Sequence, residues 1–508
     1  MNDTLSPASA RTCWRIHPDD DVVVALKTLE AGEQLDLGAV SIEVRDAVPR
    51  GHKVALRGIR KGNEVRKYGW PIGRATQDIE PGAHVHSHNL ATQLAGPDDY
   101  GEPPPHASAA SARPGASRTG PTFMGYRRPD GRVGTRNEIW ILCTVGCVGR
   151  TAIRIASIGS QRFAGRIDGI HAFAHQFGCS QLGDDLNRTR ALLAGLARNP
   201  NAGGVLILGL GCESNQLAAL LDSIPDLDRT RVRAFAAQAT DDETEAGLRA
   251  LEELVGVVEQ DQRAPCPLAD LTIGVKCGGS DGLSGITANP LVGRVTDSVT
   301  AAGGRAILSE IPEIFGAERM LLARAVDAGV FGDCAALVND FKRYYLDAGL
   351  PVHENPSPGN IAGGITTLEE KSLGAVQKGG RAPLTQVLRY GEPVQRPGLA
   401  LLESPGNDGI SSTALVASGA TLLLFTTGRG TPLGFPVPTL KISSNSALGA
   451  AKPHWIDFDA GRVLTGLSQD AAAAELLELV IATASGRLAR NEHNDEREIA
   501  IWKGGVTL

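Results

Sequence analysis

Apolar positions in the first ninety residues fall in short runs broken by Gly and Pro, at 22–25, 40–44, 53–56 and 84–88. That punctuation predicts short strands and few helices, a small β-rich domain over residues 1–91. Beyond residue 121 the rhythm changes. Strand-like runs at 139–145, 170–174, 205–210 and 232–236 are each followed by ten or more residues of helical pattern. The alternation predicts a parallel sheet wound with helices, a Rossmann-like α/β domain over residues 122–265. Further on the pattern is more broken, with strands at 271–275, 306–308, 399–402 and 421–426 and a Gly/Asn/Pro loop at 353–364, read as a larger C-terminal α/β domain over residues 266–508. The fold class is therefore α/β multidomain. Between the first two blocks, residues 92–121 hold six prolines and, after Leu94, no aliphatic side chain larger than Ala. Such a segment buries too little to offset its ordering entropy, and it is expected to be a disordered linker.

Composition narrows the function classes. Fifty Lys and Arg stand against 57 Asp and Glu, a net charge of −7, with no basic block to follow a phosphate backbone. Nucleic acid is excluded as a partner on this ground. No apolar run approaches the roughly 20 residues of a membrane span, and the first residues lack a basic and apolar leader pattern, so a soluble cytoplasmic protein is expected. Glycine, 61 of 508 residues, exceeds the usual share of about 7% and implies many tight turns and close backbone approaches. Eight cysteines without a leader read as thiols or metal ligands rather than a disulfide frame.

Four of those cysteines, Cys147, Cys179, Cys212 and Cys277, fall just past the C-terminal end of a predicted strand, each beside Gly or one residue from it. In an open parallel sheet that edge is where ligands bind. Taken singly each reads better as a small buried residue packed under a tight turn, but four together shift the reading towards a site, and three thiolates could carry an iron–sulfur cluster with one open iron. The spacings match no standard cluster motif. His84, His86 and His88 in AHVHSHN stand two apart, so on a strand their imidazoles share a face that could hold a cation; His52 in RGHK is a further candidate. A polar outer face is the competing reading. His175 is placed to act as acid or base or to be satisfied by a turn carbonyl, and Arg136 with Asn137 in GTRNE could clamp a carboxylate or form a solvated turn. Loops dense in Gly, Ser, Asn and Thr carry single charges, Asp281, Glu310, Glu313, Arg429 and Lys441, a composition suited to a polyhydroxylated ligand. No phosphate-binding glycine motif is present, so nucleotide binding has no support.

The strings RGHKVAL, YGWPIG, HVHSHN, VGTRNEIWILCTVGC, FGCSQLGDD, LGLGCESNQ, CGGSDGLSGITANP, EIPEIFGAE, NPSPGNIAGGITTLEEKSLG, FTTGRGTP, KISSN and GGVTL together resemble the altronate/galactarate dehydratase family of sugar-acid hydro-lyases, over nearly the whole chain except the linker. FGCSQLGDD and the ending HNDEREIAIWKGGVTL are similar to its altronate branch. Lys276 before Cys277 and the long Pro/Ala-rich linker depart from the family pattern. The resemblance implies an N-terminal SAF-like (antifreeze-like) β domain before α/β catalytic domains. It also implies a divalent metal, Fe²⁺ or Mn²⁺ ahead of an iron–sulfur cluster, and dehydration of D-altronate to 2-keto-3-deoxy-D-gluconate in hexuronate breakdown. On that basis the expected metal ligands are His52, His86 and His88, with Cys147, Cys179, Cys212 and Cys277 as alternative cluster ligands. Proton transfer is assigned to His175 or Glu310, and the substrate carboxylate to Arg136 or Lys441. The hydroxyls fall to Asn137, Asp281, Asn360 and Asn445, with Arg429 beside them. The expected partners are a small-molecule sugar acid and further copies of the chain. Galactarate dehydration and non-catalytic sugar-acid binding are the rival readings.

Overall fold

The computed structural model describes residues 12–37, 41–103 and 120–505. Val40 of the predicted strand at 40–44 and the end of GGVTL lie outside them. In the first domain, strands Cys13–Trp14, Val22–Ala25, Lys53–Ala55 and His84–Val85 form an antiparallel sheet in that order. All four residues of Val22–Ala25 are buried because both faces of this strand are covered. Val23 and Ala25 enter the domain's own core with Leu29, Leu35 and Val54, while Val24 packs on Leu283 and Ile286 of the C-terminal domain. The period of two thus builds a core on one side and a docking face on the other.

The predicted strand at 84–88 stops at Val85. Asn89 Oδ1 accepts the His86 amide at 2.9 Å and the Asn89 amide returns to the His86 carbonyl at 3.0 Å, closing a turn that removes His86 and His88 from the strand. The expectation that the three imidazoles share one strand face is corrected accordingly.

In the second domain the parallel order is Gly169–Phe173, Glu138–Cys143, Ala202–Gly209, Val232–Ala236. In the third, a seven-stranded parallel sheet runs Leu384–Leu388, Gly398–Leu402, Arg305–Leu308, Thr272–Cys277, Leu422–Thr427, Thr439–Ser443, Phe458–Asp459. The sheets confirm the α/β multidomain class. From Thr272–Cys277 the chain adds strands first on one side and then on the other, so its C-terminal end beside Leu422–Thr427 is a topological switch point, where such sheets open a crevice. Among the described residues no helix is long and apolar enough to cross a membrane.

The expected disordered linker is corrected over its first part. Thr92 and Gln93 bond Glu369, Asp98 exchanges hydrogen bonds with Asn339, and Tyr100 is buried with its hydroxyl accepting from Lys342 Nζ at 3.0 Å. A few polar anchors and one aromatic ring order a stretch whose average composition favours disorder. Residues 104–119 of the same segment lie outside the described residues.

Candidate active site

The crevice at the switch point is a cleft of about 500 Å³ bordered by Cys277, Ser280, Glu313, Asn360, Lys371 and Asp408. Cys277 ends its strand, and the following loop is held by Asp281. The Asp281 carboxylate accepts from the Ser284 amide and hydroxyl, from Ser444 Oγ at 2.8 Å and from Asn445 Nδ2 at 3.2 Å. Asn445 also caps the helix Ser446–Ala451. Asp281 and Asn445 therefore lash together loops from two strand ends and position the cleft wall. Asn360 Nδ2 donates to the Ser280 carbonyl at 2.8 Å, and its Oδ1 accepts from Lys371 at 3.1 Å. Arg429 stands exposed beside Gly279, donating to the Gly359 carbonyl at 2.9 Å.

Two carboxylates and three ammonium groups surround the Cys277 thiol. Lys378 Nζ donates to Sγ at 2.8 Å, and Glu313 Oε2 lies 3.6 Å from it. Glu310 sits behind the thiol, accepting the Cys277 amide at 3.2 Å and pairing with Lys276, which also meets Asp408 at 2.8 Å. Glu310 takes a left-handed φ of 69°, unusual for a residue with a side chain, and these bonds hold it there. Lys371 donates to Glu313 Oε1 at 2.9 Å and to Asn355 Oδ1 at 2.8 Å. Burial pushes the Cys277 thiol up to about 11 although Lys378 opposes it. Burial also raises Glu310, partly offset by Lys276. At Glu313 burial is outweighed by Lys371, Lys276 and Lys378, so its carboxyl lies below the usual carboxylate range. One carboxylate is thus held ionised next to a thiol and an ammonium held protonated, the separation that acid–base chemistry needs.

Ligand atoms of Cys277, Glu310 and Glu313 lie within 4.8 Å of one another. Three lysines already pair this group, so its field suits an anion better than a cation. The imidazoles behave differently. His52, His84 and His86 gather with ring centroids 4.8–5.3 Å apart, and His52 Nδ1 lies 3.1 Å from His84 Nε2. Burial and their mutual neighbourhood lower all three, His84 to about 3, which leaves neutral lone-pair donors. Imidazole suits a borderline divalent cation. His52 Nδ1 and His84 Nε2 converge, while among the described residues the three rings do not bring one nitrogen each within 4.8 Å of one another. His88 is exposed and its ring meets His84, at 5.5 Å, so of the expected set His52, His86 and His88 the structure gathers His52 and His86 with His84 in the place of His88. The cluster leans on the carbonyls of Ile361 and Ala362, directly after Asn360 of the cleft.

Other expectations are also corrected. All five Arg136 N–H groups are committed, to Glu492 and to the carbonyls of Thr135, Thr483 and Arg487; none is left for a substrate carboxylate. Asn137 accepts from Arg128 and donates to the Val258 carbonyl. The Lys441 ammonium is bonded to Glu496 and the Pro432 carbonyl. His175 has both ring nitrogens engaged, Nε2 with the Cys143 carbonyl at 2.8 Å and Nδ1 with the Phe177 amide at 3.1 Å, so it shapes a loop rather than moving protons. Cys147, Cys179 and Cys212 belong to the second domain, away from Cys277 on the other sheet. Nothing in the sequence marks Lys371 and Lys378, since a buried lysine is written like a solvated one, and Glu313 stands there only as one charge in a polar loop.

Residues 11–93 match the family described as Altronate/galactarate dehydratase SAF domain, residues 125–259 match D-galactarate dehydratase/Altronate hydrolase, second domain, and residues 268–507 match D-galactarate/Altronate dehydratase, C-terminal. The chain is 48% identical to altronate dehydratase of Bacillus subtilis over 97% of its length and 99% of the relative's, and 48% identical to altronate dehydratase of Escherichia coli over the same shares. It is 32% identical to galactarate dehydratase (L-threo-forming) of Escherichia coli over 93% of its length and 92% of the relative's. The chain belongs to the altronate/galactarate dehydratase family of hydro-lyases.

Proposed function

We propose that the protein dehydrates D-altronate to 2-keto-3-deoxy-D-gluconate in the switch-point cleft. The observation that carries the reading is the ionised Glu313 facing a protonated Cys277–Lys378 pair across the cleft wall. Dehydration removes the proton on C2, beside the substrate carboxylate, and expels the C3 hydroxyl. Glu313 takes the C2 proton. Cys277, backed by Lys378, supplies the proton that lets hydroxide leave as water, each transfer contributing on the order of 10²–10⁴ in rate. Lys371 holds the Glu313 carboxylate and adds positive charge where the enolate forms. Asn360 and Ser280 offer hydrogen-bonding groups to the hydroxyl-rich chain. His52, His84 and His86 would hold the divalent cation, Fe²⁺ or Mn²⁺, which supplies Lewis acidity towards substrate oxygens. The greater identity to altronate dehydratases than to galactarate dehydratase favours the monoacid.

Turnover in heavy water tests the reaction, because ketonisation delivers one solvent deuteron to C3 of the product. Product without deuterium at C3, or faster turnover of galactarate than of altronate, would reject it. Anaerobic chelation is expected to abolish activity and Fe²⁺ or Mn²⁺ to restore it; full turnover by metal-free protein would remove the cation from the scheme.

A further inference from the structure

We propose that Cys147, Cys179 and Cys212 form a three-thiolate seat for an iron–sulfur cluster, distinct from the imidazole site and the cleft. Five of the eight cysteines are buried, and these three are exposed. They follow three adjacent strands of the second domain, Glu138–Cys143, Gly169–Phe173 and Ala202–Gly209.

The loops that carry them are tied to one another. The Gly146 amide donates to the Phe177 carbonyl at 2.8 Å, placing Cys147 next to the Cys179 loop. The Asn215 amide donates to the Gly178 carbonyl at 3.0 Å, and Asn215 Nδ2 to the Thr144 carbonyl at 3.2 Å, drawing in the Cys212 loop. A Cβ at Gly178, where φ is +98°, would lie 2.1 Å from the Thr144 carbonyl oxygen, so only glycine permits this approach. Buried polar side chains are committed to the same end. His175 bridges Cys143 and Phe177; Glu213 accepts from Thr144, from the Leu210 amide at 3.1 Å and from the Gly211 amide at 2.6 Å. His175 and Glu213 are positioning residues for the thiols.

Helices Gly149–Arg162 and Gly183–Ala197 begin shortly after Cys147 and Cys179, and their N-terminal ends favour an anionic thiolate assembly. Cys212 Sγ accepts from Gln238 Nε2 at 3.6 Å, and Cys179 Sγ shares a hydrogen bond with Ser180 Oγ at 3.7 Å, single neutral contacts of the kind an iron–thiolate bond replaces. Among the described residues the three do not form a group with ligand atoms within 4.8 Å. Thiolates on one tetrahedral zinc stand about 4 Å apart. A cluster attaches each thiolate to a different iron and so spans more, and three thiolates leave one iron open to an oxygen ligand.

The test uses the full chain purified without oxygen, then supplied with ferric iron, a dithiol reductant and sulfide. Wild type and the control Cys266→Ser are expected to hold iron and acid-labile sulfide in equal amounts, with a visible absorption bleached by dithionite. Cys147→Ser, Cys179→Ser and Cys212→Ser should each lose at least tenfold of both, while His52→Gln and His84→Gln should keep them even if dehydration stops. That last pattern separates a failed imidazole site from a failed cluster. If a serine variant precipitates, alkylation of wild type read by mass spectrometry decides: the loaded protein should protect these three thiols and the unloaded protein expose them. Absence of bound sulfide in wild type, retention of the absorption in the serine variants, or equal alkylation in both forms would overturn the proposal.

Discussion

At Glu313 the ionisation state is decided by neighbours from three different segments. Lys371, Lys276 and Lys378 outweigh the cost of burying the carboxylate. Glu313→Gln keeps the shape and one acceptor for Lys371 but removes proton-accepting capacity. Its kcat is expected to fall by about 10²–10⁴ with KM changed far less. His175→Asn, by contrast, should leave kcat within several-fold. Steady-state kinetics on altronate read both, and a Glu313→Gln kcat equal to wild type would remove it as base. The candidate site was legible in the sequence where a residue's role is local. Asp281, Asn360 and Asn445 stand out among Gly/Ser/Asn loops, and the structure brings all three to the cleft or its wall. It was not legible where the role depends on what lies opposite. Arg136 looks like an anion clamp, yet its partner is Glu492, more than 350 positions away.

At the scale of elements, continuous apolar runs gave away the central strands, because a parallel sheet covered on both faces needs no polar alternation. Ala202–Gly209 and Thr272–Cys277 are of this kind. Thr439–Ser443 escaped detection as a strand, since TLKIS carries Lys441 in its middle and only the tertiary fold supplies Glu496 to neutralise it. Arg136 illustrates what such long-range pairing is worth. It fixes the short helix Arg490–His493 to the entry of strand Glu138–Cys143 through both Glu492 oxygens, at 2.7 Å each. Removing one partner of a buried pair strands the other charge. Glu492→Gln is therefore expected to cost about 3–5 kcal/mol, measured as a lowered denaturant midpoint. A change under about 1 kcal/mol would mean that water reaches Arg136 and satisfies it.

Across the whole molecule, one carboxylate joins the first domain to the third. Glu370, on helix Leu368–Ala375, receives Lys53 at 2.9 Å and Lys67 at 2.7 Å, all three side chains being buried. Burial alone would raise the carboxyl, but the two ammonium groups hold it well below the usual range. An unfolded Glu titrates near ~4.3, so the folded state binds its proton less readily, and the pair's contribution is complete above that value and lost as pH falls below it. Lys53 works with the opposite sense. Burial pulls its ammonium down to about 8, below the ~10.4 of an unfolded lysine, so the folded state releases that proton first and stability rises with pH between those values. The expected stability curve therefore climbs from pH 3 to 5 at up to about 1.4 kcal/mol per unit for this group, and climbs again above pH 8. Glu370→Gln should lose the acid limb and sit about 3–5 kcal/mol lower at neutral pH, because two buried ammonium groups lose their counter-charge. Lys53→Met should lose the alkaline rise and also shrink the acid limb, because Lys53 is one of the two ammonium groups that hold the Glu370 carboxyl down. With a protease site inserted between residues 104 and 119, cleaved wild type is expected to elute as one species at pH 7, held by this centre and by the packing of Val24 on Leu283 and Ile286. Cleaved Glu370→Gln should separate into its two parts. If the cleaved variant stays together as firmly as wild type across pH 3 to 9, apolar packing, not the carboxylate, holds the domains in place.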